Sequence, residues 1–123
     1  MNVSMQVDRR NSRGHFTIAG RLQPEDATSL AVSAITAAAA EKLRALILNL
    51  EGVTLARRMS ITDCYRAGQR LAEAGASLTR LAFVLTRECV EEHDLVFTAA
   101  SNRGLSTRAF LSEAEALGWL QAG

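Results

Sequence analysis

Apolar and polar positions along the chain fall into two periods, and their alternation predicts its elements. Val3, Met5 and Val7 alternate with polar neighbours, the period of a half-buried strand. Asn11-Ser12-Arg13-Gly14 reads as a turn, after which Phe16 and Ile18 resume the alternation through Gly20, completing a hairpin. Pro24, followed by Glu25 and Asp26, has the composition of a helix start. Ala27, Leu30, Ala31, Ala34, Ile35 and Ala38 then recur at helical spacing. Ala45 to Leu50 is nearly all apolar, which predicts a parallel strand covered on both faces, with a loop beginning near Gly52.

After that loop, Ser60 with Asp63 three residues on signals an N-cap. Ile61, Cys64, Tyr65, Gly68, Leu71 and Ala72 form the expected buried stripe, and Gly75 the stop. Leu81 to Leu85 predicts another buried strand, and Thr86 caps a helix running through Ala100. Ser106 to Phe110 is a short last strand, and Ser112 with Glu115 opens a last helix. The order β-β-α-β-α-β-α-β-α predicts an α/β domain: a mixed five-stranded sheet, with an N-terminal hairpin and parallel later strands, and four helices.

Composition narrows the partners. A chain of 123 residues is expected to form one domain with a proper core. Its 14 basic and 13 acidic residues give no drive toward nucleic acid. No apolar run approaches the ~20 residues of a membrane span, and Met1 to Gln6 lacks a signal-peptide pattern, so a cytoplasmic protein without membrane insertion is expected. Cys64 and Cys89 sit in amphipathic helices, where reduced, buried thiols are the usual state. The helix after Pro24 has no charge between Asp26 and Glu41, consistent with close packing on the sheet or with a face covered by a second subunit.

Templates for catalysis find no match: there is no phosphate loop, dinucleotide fingerprint, metal-spaced Cys/His pair or nucleophile elbow. No catalytic residue, cofactor or metal site is therefore expected. Cys89 and His93 are four apart on one helix, but without an orienting third group; within Glu91-Glu92-His93-Asp94 the histidine reads as part of a solvated face. Arg57 and Arg58, next to the helix start at Ser60, form a candidate anion or partner site. The alternative is that they pair with local acids such as Glu51 and Asp63.

Three stretches together resemble a STAS domain of the SpoIIAA-like branch. They are Phe16-Thr17-Ile18-Ala19-Gly20-Arg21-Leu22, Leu46-Ile47-Leu48-Asn49-Leu50-Glu51-Gly52-Val53, and the tail from Ala109 to Leu120 with its Phe110, Ala116, Trp119 and Leu120. The resemblance implies a β/α superhelix and a bacterial regulatory module that binds a protein partner, a second copy of itself included, through the Arg57–Ser60 edge. A small lipid-like or anionic ligand is the alternative. In regulatory members the loop after the central strand carries Asp-Ser-Ser/Thr-Gly, phosphorylated at the first Ser; here those positions hold Arg57, Arg58, Met59 and Ser60. A phospho-regulated anti-sigma-factor antagonist would have to use Ser60 or Thr62 in a shifted register.

Overall fold

A computed structural model describes residues 2–78 and 80–122. Among them the elements run β1 (Asn2–Asp8), β2 (Arg13–Leu22), α1 (Pro24–Ala40), β3 (Ala45–Leu55), α2 (Ile61–Ala74), β4 (Arg80–Val84), α3 (Arg87–Asn102), β5 (Thr107–Phe110) and α4 (Glu113–Gln121). The five strands form one mixed sheet in chain order, β1 antiparallel to β2 and the others parallel. This is the α/β architecture expected from the sequence.

Alternate residues of the central strands serve two different layers. Leu46 and Leu48 of β3, with Leu81 and Phe83 of β4, join the core built with α1, α2 and α3. Ile47, Ala82 and Val84 face the other way, onto Ala116 of α4 and partly buried Trp119. Because strand order never reverses, successive crossovers of one hand lay α1, α2 and α3 on one face, leaving α4 to cover the other. Both faces are therefore dry over Leu46–Leu48 of β3 and Leu81–Val84 of β4, which accounts for the apolar runs there. Arg80 lies over the Trp119 ring at 4.9 Å and donates to the Trp119 carbonyl, tying α4 to β4.

The local signals mostly operate as their chemistry demands. Pro24 occupies the first turn of α1; Ser60, Thr86 and Ser112 each accept a backbone N–H three residues on. Four expectations need correction. β1 is exposed along its whole length, because it is an edge strand lying beyond the helices: Val3 is 48% exposed. The hairpin turn ends earlier than expected, with Ser12 in the left-handed region at φ 53° and Gly14 already paired with Val7 inside the ladder. β3 runs on through Gly52 to Leu55 instead of breaking into a loop. Ile61 and Tyr65 leave the buried stripe of α2 and face outward, 67% and 55% exposed, while Cys64, Ala67, Gly68 and Leu71 form the buried face.

Candidate functional site

A bulge in β3 prepares the site. Thr17 pairs with Asn49, but Ala19 pairs with Gly52, so β3 carries one extra residue between the two pairs. The extra residue reverses the parity of the strand. Leu50 before it and Val53 and Leu55 after it all line one cavity on the three-helix side. Gly52 fits there because a Cβ would lie 2.8 Å from the Ala19 Cβ; the two strands close at that point only without it.

The helices form the facing walls. Gly68 lets α2 approach α3 so closely that a Cβ would meet Val96 O at 2.7 Å. On the remaining walls small side chains, Ala27 and Ala31 of α1 and Ala67 of α2, leave space that larger ones would fill. Phe97, edge-on to Phe83 at 5.1 Å between ring centroids, closes another side. The result is a half-open cavity of about 80 Å³ with almost wholly apolar walls.

Three residues with polar side chains, Thr28, Cys89 and His93, stand among that lining. His93 is 6% exposed, contrary to the solvated face expected for it. The helix bends at this residue, with φ −124° and ψ 24°. Its Nδ1 lies 3.2 Å from the Cys89 carbonyl oxygen, so the ring competes for the acceptor that the i→i−4 backbone bond would use, a recognised cause of kinks. The bend turns the ring inward from the acidic run Glu91-Glu92-His93-Asp94. Nε2 is the one buried side-chain nitrogen or oxygen without a hydrogen-bond partner among the described residues. Thr28 is satisfied by donating to the Pro24 carbonyl at 2.9 Å.

Cys89 also lines the cavity, with Sγ 3.5 Å from His93 Nδ1. The pair envisaged from the sequence is thus brought together, without being armed. Burial, then Glu92 and Glu88, pushes the Cys89 thiol above its ordinary range, and the thiolate is the nucleophile. Cys64 is a second free thiol, buried in α2 and likewise raised by burial.

The Arg57–Ser60 edge lies beside this cavity and is largely self-satisfied. Arg57 Nη1 donates to Asp63 Oδ2 at 2.9 Å and its other arm pairs with Glu25. Pairing with local acids therefore does occur, through Glu25 and Asp63; Glu51 instead sits against Asn49. Ser60 and Asp63 form a reciprocal capping box: Ser60 N–H donates to Asp63 Oδ2 at 2.9 Å, and Asp63 N–H to Ser60 Oγ at 3.0 Å. These bonds, the Ser60 N–H foremost and then Arg57, hold the Asp63 carboxyl down at about 2. An incoming anion would meet that carboxylate at the helix start. Arg58 forms no ion pair among the described residues, and it borders a polar depression with Glu51, Glu88 and Glu92 that shares Cys89 and His93 with the cavity. Thr62, the other candidate hydroxyl, is exposed in the first turn of α2.

Sequence reasoning missed the cavity. The signals available were the alanines of α1 and the four-residue spacing of Cys89 and His93; the bulge and the bend that exploit them depend on tertiary contacts. On the opposite face of the sheet His15 Nε2 lies 2.9 Å from Glu113 Oε1, to which Asn49 also donates, and the Glu113 carboxyl is lowered by Asn49 first and then by His15. That cluster satisfies itself at the start of α4. No protein-family model matches the chain, and no curated protein matches it in sequence.

Proposed function

We propose that the chain is a non-enzymatic module of the STAS type that binds a small apolar molecule in the cavity between the sheet and α1, α2 and α3. The single observation that carries this reading is the cavity itself, half-open and lined almost wholly by apolar side chains from the sheet and from α1, α2 and α3. Ligand sites have this composition: an apolar lining with few polar groups that fix orientation. The chemistry at Cys89 favours binding over turnover, since its thiol is raised and its histidine neighbour is engaged with a carbonyl. The STAS grouping rests on the three sequence stretches and on an element order that suits it.

The test is thermal unfolding with and without toluene, an apolar probe that can enter through the cavity's open side. At a hundredfold excess over its dissociation constant, binding to the folded state alone adds about 2.7 kcal/mol. The rise should vanish in Ala27→Leu, which fills the cavity. Equal shifts in the two proteins would refute the reading.

A second reading draws on a different observation: Ile61 and Tyr65, exposed one turn apart on α2, stand beside Arg58 at the edge first singled out in the sequence. Exposed apolar side chains next to a cation suit a protein partner, a second copy included. A phospho-switch at Ser60 draws less support, because its hydroxyl is occupied as an N-cap.

A further inference from the structure

The two edges of the sheet differ in how well they resist another strand. β5 is four residues long and carries the exposed Arg108, and a short, charged edge discourages pairing with a second chain. β1 has neither guard. Its seven residues hold unbroken register with β2, no charge or proline occurs from Asn2 to Val7, and the whole strand is exposed. Among the described residues β1 is paired on one side only, so the backbone N–H and C=O groups of its other side stand open as a template.

The side chains specify which strand fits. Val3, Met5 and Val7 pair with Ile18, Phe16 and Gly14 and so share the sheet face that α1 covers further in, yet they are 48%, 38% and 36% exposed. Opposed residues of an antiparallel pair lie on one face, and a slip by one residue sets apolar against polar faces. A second β1, antiparallel across a two-fold axis, matches apolar to apolar when the axis passes beside Met5. That register pairs the whole strand: Met5 with the partner's Met5, Val3 with the partner's Val7, Asn2 with the partner's Asp8. No like charges are opposed. The ends are complementary too. Asn2 pairs with Ala19, which places the start of β1 at the end of the sheet where α1 begins with Asp26, and Arg10 follows the other end of β1. Arg10 and Asp26 are both exposed and in no ion pair among the described residues. Antiparallel pairing brings each copy's Arg10 to the end where the partner's Asp26 lies.

We infer that β1 is the docking edge for a second copy of the chain, the two sheets joining through β1 into one continuous sheet. The outermost strands are then the two guarded β5 edges, so the contact closes at two copies. A seven-residue edge contact falls at the small end of specific interfaces, below about 1,200 Å² in total, so the dimer is reversible, with a dissociation constant on the order of micromolar. This surface is separate from the cavity and from the exposed face of α2.

The experiment combines sedimentation with cross-linking of the full chain. Wild type should pass from monomer to dimer as concentration rises through the micromolar range. Met5→Lys, which opposes two lysines at the axis, should weaken the dimer about tenfold or more. Arg58→Glu/Ile61→Ser should dimerise as wild type does. Register is read separately, with oxidised glutathione as the oxidant and wild type, whose own thiols are Cys64 and Cys89, as the blank. Met5→Cys should form a disulfide-linked dimer, since opposed Cα atoms stand about 4.5–5.5 Å apart, within disulfide reach. Val3→Cys and Val7→Cys should not, because each lies four residues out of step with its own copy, roughly 14 Å away.

A wild type that stays monomeric to millimolar concentration would overturn the inference. So would a Met5→Lys protein that dimerises like wild type, and so would equal cross-linking at all three positions. Loss of the dimer in Arg58→Glu/Ile61→Ser but not in Met5→Lys would assign self-association to α2 instead.

Discussion

Replacing Gly68 by Ala is the sharpest probe of how the helices frame the cavity. Taken alone, the substitution should stabilise α2, since Ala is favoured over Gly in a helix interior by about 1 kcal/mol. The packing opposes it. The new Cβ would stand 2.6 Å from the Ala99 Cβ, 2.7 Å from Val96 O and 3.0 Å from Ala100 N. Carbon atoms rest at about 3.5–4.0 Å, so α2 and α3 must part by roughly 1 Å. Two of the three obstructing atoms belong to the α3 backbone, which has no rotamer through which to yield. The overpacking penalty is therefore at or above the top of the usual range of about 1–3 kcal/mol.

The net expectation is a loss of about 2 kcal/mol. With an unfolding entropy of ~2.1 cal/mol/K per residue, that lowers the melting temperature by about 8 °C. Gly118→Ala in α4 is the control: its Cβ meets nothing within 4 Å, so propensity acts unopposed and should add roughly 0.5–1 kcal/mol. Thermal unfolding followed by circular dichroism measures both. If Gly68→Ala melts at or above wild type, the close approach of α2 and α3 is not what the structure describes, and the cavity geometry built on it fails too.

The Asp63 cap predicts a pH dependence. Its folded carboxyl, at about 2, lies below the ordinary 3.8, so its contribution is fully present above the ordinary value, declines as pH falls between the two, and is gone below the lower one. Urea midpoints for wild type and Asp63→Asn should converge through that window; parallel curves down to pH 2 would refute the assignment. If the exposed face of α2 docks a second copy, wild type should self-associate in sedimentation at rising concentration, and Arg58→Glu/Ile61→Ser should remain monomeric with stability within about 0.5 kcal/mol of wild type. Identical sedimentation of the two proteins would remove the basis for a self-docking surface there.

Much of the fold was legible because it rests on local chemistry and on period. Ser60, Thr86 and Ser112 cap helices wherever they precede a periodic apolar run, and strands buried on both faces must be apolar throughout, as Leu46 to Leu48 and Leu81 to Val84 are. Exposure was less legible, since an alternating strand reads the same at a covered and an uncovered position: Val3, Met5 and Val7 alternate as Phe16 and Ile18 do, yet only the second pair lies beneath helices.

The sequence by itself determined the element order, the caps and the apolar faces, because each depends on neighbours within a few residues. Only the tertiary structure decided the site. The bulge that aims Leu50, Val53 and Leu55 together exists because β2 and β3 must stay paired past Thr17. The bend that carries His93 inward lies in a stretch with neither Gly nor Pro to announce it. Arg57, conspicuous in the sequence, is quenched by Glu25, a residue 32 positions away that α1 brings alongside. Charge and spacing are written along the chain, but which charges are cancelled and which polar atom is left without a partner depends on contacts between segments far apart in it.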